Sequence, residues 1–159
     1  MHEDITWHHE KTQKERQGID MKAKAFLLQL DKLNKLIENK IIEKQQWQSI
    51  AMGTGQGTDS ERVQSSGNPQ KMADAIARYV DIEKEIDAAI DKYIETRNYI
   101  LSVIEQLPVA EYDILHKVYV QNMELADAAV ACGKSYSWAT TAHGRALNAV
   151  QGILDAGKE

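Results

Sequence analysis

The chain has little of what marks most enzymes and secreted proteins. Its 159 residues include one cysteine, two prolines, one phenylalanine and 6% aromatics. A single cysteine, Cys132, rules out an intramolecular disulfide framework and fits a reducing cytoplasm, where it reads as a small buried hydrophobe. No apolar run comes near the ~18 residues that a membrane span requires, and MHEDITWHHE lacks the basic start and apolar middle of a secretory signal. The expectation is therefore a protein with no membrane partner. A basic excess is missing too: the net charge is −5, which argues against a nucleic-acid coat protein. By region, residues 1–50 hold nine Lys/Arg against eight Asp/Glu, 51–107 six against ten, and 108–159 four against six, so no segment is a basic arm.

With 43% hydrophobic and 27% charged residues, the sequence has a helical repeat over most of its length. Residues 1–20 form a polar lead-in without a clean apolar period. His2, His8, His9 and Glu10 are metal-ligand types, but adjacent histidines point apart on a helix and no second ligand pair follows at suitable spacing. No metal or other cofactor is expected. From Met21 to Ala51, Phe26, Leu30, Leu33, Ile37 and Ile41 recur at steps of four and three, the stripe of one long amphipathic helix that Trp47 and Ile50 extend. Lys32, Lys35, Glu38 and Lys40 fall on its wet side. Gly53, Gly55 and Gly57 then open a loop over 53–70. They do not make a phosphate cradle, because no strand precedes them and no Gly-Lys-Ser/Thr follows. The length of that loop is unusual for a helical hairpin and invites a specific role, for which Arg62 to Gly67 is the stretch to watch.

The second long helix carries the most regular pattern in the chain. Met72, Ile76, Tyr79, Glu83, Ile86, Ile90, Tyr93, Arg97, Ile100, Ile104 and Leu107 alternate steps of four and three. Asn68 and Pro69 supply a cap and a first-turn residue, and Pro108 marks the end. Such a seam needs a partner, either the 21–51 helix folded back antiparallel or the same helix of a second chain. Glu83 and Arg97 interrupt it; across a two-fold dimer each faces the other's counterpart, while an ordinary solvated edge is the equal alternative.

After Pro108 come three shorter helical patterns, VAEYDILHKVYV, MELADAAVACG and SYSWATTAHGRALNAVQGILDAG. They suit a helix-turn-helix: Ala129 stands four residues before Gly133, where a small side chain lets two helices approach and a glycine takes the left-handed turn. Ala128, Cys132, Ala139, Ala142, Ala146 and Val150 can bury the inner faces, and Ser135 or Ser137 starts the outward helix. Trp138 is expected to pack rather than to meet a base.

The strings LLQLDKLNKLIENKI, ERVQSSGNPQKMADAIARYVDIEKEI, IEQLPVAEYDILHKVYV and CGKSYSWATTAHGRAL together resemble a family of phage and prophage proteins of Gram-positive bacteria, the ArpU and RinA type of late transcription regulator, whose C-terminal part is similar to region 4 of sigma factors. The likeness spans nearly everything from Met21 to Leu154. It implies an all-α fold, a long antiparallel helical hairpin or coiled-coil stalk over 21–107 followed by a small three-helix, sigma region 4-like domain over 108–159. It also implies a regulator that binds double-stranded promoter or operator DNA near RNA polymerase; the residues themselves point away from an enzyme, with no nucleophile beside a base and no metal spacing. Where the family pattern offers several Arg or Lys after the turn, this chain has Lys134 and polar residues. The expected DNA contacts are Ser135, Tyr136, Ser137, Thr140 and Thr141 in the groove and Lys134 and Arg145 on phosphates, with His143 and Lys117 as further phosphate contacts. So few cations predict about two to four neutralised phosphates per subunit, and hence reliance on a homodimer. The alternative expectation is an adaptor that docks on polymerase or another phage protein without touching DNA.

Overall fold

A computed structural model describes residues 22–53 and 69–157. Among the described residues the regular structure is five α-helices, one π-helical turn and a short helical segment over 22–27, with no strand. After a helical segment over 22–27 come α1 (Gln29–Ala51), α2 (Pro69–Ile104), α3 (Val109–Leu115), the π-helical turn His116–Val120, α4 (Leu125–Ala131) and α5 (Tyr136–Ala156). The N-terminal histidines, Gly55, Gly57, Arg62 to Gly67 and the Asn68 cap fall outside the described residues. None of the described helices is long and apolar enough to cross a membrane. The chain divides into two compact units, 32–94 and the remainder, so both long helices contribute to each.

In the 32–94 unit the first helix folds back on the second within one chain. Lys40 Nζ lies 2.5 Å from Glu85, Lys44 Nζ 2.6 Å from Glu83, and Arg78 bridges Glu43 at 2.9 Å and Glu85 at 2.8 Å. As numbers rise along α1 they fall along α2, which is an antiparallel pairing. Hydrogen bonds from Lys40 and then Arg78 hold the Glu85 carboxyl below its ordinary pKa, and Glu43 followed by Glu85 raises Arg78. These half-buried surface rungs fix register more than they stabilise. Lys40, expected on the wet side, is half-buried because it reaches across to Glu85, whereas Ile41 is exposed.

Along the first three heptads the buried line of α2 lies one residue before the expected seam: Ala75, Ile82 and Ala89 are buried, where the pattern pointed to Ile76, Glu83 and Ile90. Ile86, Ile100, Ile104 and Leu107 are buried as the pattern expected, with Val103 beside them, and Tyr79 and Tyr93 are half-buried. Two physical reasons favour the shift. Alanines at 75 and 89 let the helices approach where isoleucines would hold them apart, and the rotation moves Glu83 to the rim, where Lys44 meets it instead of leaving a charge in the interface.

The other unit has the larger core. Leu27, Ile100, Ile104, Ile114, Leu115 and Val150 have no appreciable exposure, and each such side chain contributes about 1.5–3 kcal/mol relative to staying in water. Phe26 meets Tyr99 edge to face at 5.4 Å. α5 packs on both α3 and α4, its buried side being Ala139, Ala142, Ala146, Leu147 and Val150, a stripe at helical spacing. Small residues there let three helices crowd together.

Candidate nucleic-acid interface

The link between α4 and α5 is specified by main-chain bonds. Gly133 has φ +65°, its N–H donates to Val130 O at 2.9 Å, and the Lys134 N–H donates to Ala129 O at 3.0 Å. This pair of bonds is the Schellman ending of a helix, and its left-handed residue is where glycine is needed. Ala129, four residues earlier, is 2% exposed. The next helix begins immediately, because Ser135 takes extended backbone angles and its Oγ accepts from Trp138 N at 3.1 Å. Ala128, Ala139 and Ala142 are fully buried on the two facing sides.

All seven residues expected at a DNA surface are exposed, and they lie together on the loop and the first three turns of α5. Their side chains are not equally available. Ser135 is spent on its cap; Thr140 Oγ1 donates to Tyr136 O at 3.0 Å and Thr141 Oγ1 to Ser137 O at 3.1 Å, which leaves each threonine a methyl and acceptor lone pairs facing out. Tyr136 and Ser137 hydroxyls have no bond among the described residues. Lys134 carries its ammonium 5.8 Å from the centre of the Trp138 ring, and Trp138 is half-buried beside it.

The cations are mostly occupied. Arg145 Nε lies 3.0 Å from Glu111 Oε1, with the arginine side chain 58% exposed and the glutamate 12%. Lys117 pairs with Asp113 one turn earlier. That hydrogen bond raises the lysine's pKa and, as the largest influence on Asp113, holds its carboxyl below the ordinary range. His143 is turned to Tyr119, its Nε2 2.9 Å from the phenol oxygen and the two rings stacked at 5.7 Å. The further phosphate contacts expected at Lys117 and His143 are thus engaged within the chain. Lys134 has no carboxylate partner among the described residues.

Cys132 is half-buried rather than buried, and its thiol donates to Asp113 Oδ2 at 3.2 Å. Burial first, and then that bond, pushes the thiol's pKa up, so it is a poor nucleophile. Local spacing in the sequence gave no sign of the Tyr119–His143 and Arg145–Glu111 pairs, whose partners stand 24 and 34 residues apart. Also unforeseen is the π-helical turn, in which Gln121 N reaches back five residues to His116 O and Asn122 follows at φ 56°.

An open cleft of about 360 Å³ runs beside the Tyr119–His143 pair, lined also by Lys24, Leu27, Asp31 and Asn122. Among the described residues no three His, Cys, Asp or Glu side chains are grouped to hold a metal ion. Set against protein-family models, curated proteins and solved structures, the chain matches none of them.

Proposed function

We propose that the chain is a phage-type transcriptional regulator that binds double-stranded promoter or operator DNA through a helix-turn-helix similar to sigma region 4. In this reading α4 and α5 are its two helices, the long helices are a stalk that joins two copies, and the protein works in the cytoplasm of a bacterial host. The observation that carries the reading is the turn at Gly133. Its left-handed residue, the close-packed Ala129 and the Ser135 cap fix where α5 starts, and the helix then presents Tyr136, Ser137, Thr140 and Thr141 outward from a rigid alanine backing. A helix so presented can enter the major groove, where hydroxyls read base edges and a threonine methyl meets the thymine methyl.

Lys134 and Arg145 would bind phosphates, orienting the helix without reading sequence. The test is fluorescence anisotropy with phage promoter DNA at low and moderate salt. Arg145→Ala is expected to weaken all sequences alike and Thr141→Ala to change preference. Unchanged binding in both variants would refute the assignment.

A second reading, an adaptor that docks on RNA polymerase or another phage protein, draws support from specific features. Glu111 and Asp113 neutralise Arg145 and Lys117, and Val109 and Val130 are 83% and 79% exposed. An adaptor would show no sequence-specific component in the same titration at either salt.

A further inference from the structure

The displaced seam of α2 leaves a second apolar line in water. Met72, Ile76, Val80, Ile90 and Ile94 are between 38% and 50% exposed. In helical projection they share one face, with Glu83 and Asp87 between the two apolar groups. On α1, Ile41 is 41% exposed, and helical spacing places it beside the same face. Among the described residues the 32–94 unit holds two helices, and no third described element of that unit covers this side.

We propose that a second copy of this chain packs on this face, α2 against α2 in antiparallel fashion, about a two-fold axis passing close to Glu83. This deepens the two-copy part of the reading above and rests on it. The line is self-complementary about that point. Met72 and Ile94 stand eleven residues either side of Glu83, and Ile76 and Ile90 seven. A half-turn about Glu83 therefore lays Met72 on the partner's Ile94 and Ile76 on the partner's Ile90, the isologous match that closed dimers use. A parallel pairing would instead stack Asp87 on itself as well as Glu83.

The axis does not bring two bare carboxylates together. Each Glu83 already holds Lys44 of its own chain at 2.6 Å, and that ammonium also sits 4.9 Å over the Tyr79 ring, so two neutral pairs meet there. From Met72 to Ile94 the line is about 33 Å long at 1.5 Å per residue, and one helix about 10 Å wide gives roughly 330 Å² per partner, which the exposed Ile41 of α1 extends toward the ~800 Å² per partner of a standard interface.

The test uses the full chain with Cys132→Ser, carrying single cysteines and mildly oxidised. Glu83→Cys is expected to cross-link to itself. Met72→Cys is expected not to, since its twin lies about 33 Å away, yet to form a mixed disulfide with Ile94→Cys. In parallel, the unmodified chain is expected to sediment as a dimer at about 100 μM, well above a micromolar Kd. Ile76→Asp with Ile90→Asp should give a monomer of unchanged helicity, whereas Leu36→Asp on α1 should stay dimeric. Self-linking of Met72→Cys, a monomeric unmodified chain, or a helical Ile76→Asp, Ile90→Asp variant that remains dimeric would each overturn the proposal. These measurements contain no DNA. A dimer that ignores promoter DNA sinks the regulator reading alone, and a monomer that binds it sinks this inference alone.

Discussion

Glu111→Gln is expected to strengthen DNA binding, although it alters no residue of the recognition surface. Glu111 is 12% exposed and its Oε1 holds Arg145 Nε at 3.0 Å, while the arginine is 58% exposed and otherwise poised to reach a phosphate. Glutamine keeps the size and the acceptor oxygen but removes the charge, so the guanidinium is freed with little change of shape. The loss in folding stability should not exceed about 1 kcal/mol, the upper range for exposed ion pairs. One additional phosphate neutralised per subunit steepens the plot of log K against log salt by about 0.9. Between 50 and 200 mM salt that increment alone is a factor of about 3–4, so the variant's advantage is greatest at low salt and shrinks by that factor over this range. Anisotropy titrations of both proteins at four salt concentrations would measure it. A slope no steeper than that of the unaltered chain, or binding weakened as by Arg145→Ala, would show that Glu111 does not compete with phosphate.

Other consequences are simpler to measure. Ile82→Ala should cost about 2–5 kcal/mol, as for a large-to-small change in a core, because Ile82 is fully buried, whereas Glu83→Ala should cost far less; equal effects in denaturant melts would put the seam back on residue 83. Gly133→Ala would meet no neighbouring atom within 4 Å, so its whole cost is the left-handed backbone, about 1–2 kcal/mol, a fall in Tm of about 2–8 °C for a chain of this size. The Asp113 carboxyl is held below its ordinary 3.8 in the fold, so its contribution is complete above that pH and disappears as pH falls through the lower folded value. The stability gap between the unaltered chain and Asp113→Asn should accordingly narrow on acidification, and a gap that widens would contradict the Lys117 pairing.

The parts of this structure legible in the sequence are those written over short distances. The step of four from Ala129 to Gly133, the serine after it and the alanine stripe along α5 all act within a turn or two, and they fold as spacing implied. The phase of α2 was harder to read. Hydropathy favours Ile76 and Ile90 over the neighbouring Ala75 and Ala89, but close approach of two helices rewards the smaller side chain, and only the partner helix decides between them. Charge bookkeeping failed for a related reason. Arg145 and Lys117 look like free cations along the chain, but Glu111 lies 34 residues from its arginine and becomes its neighbour only when α3 and α5 pack. Lys117 is a different omission, since Asp113 is a single turn away and the pair was visible at that spacing.

The joint between α4 and α5 closes on amide hydrogens and carbonyl oxygens, with one serine hydroxyl as its sole side-chain member. Folding instructions and outward chemistry therefore sit on different atoms. Substitutions at positions 136, 137, 140 and 141 leave the joint's own bonds, at Val130, Ala129 and Ser135, in place, so this exposed surface can vary while the turn beneath it stays the same.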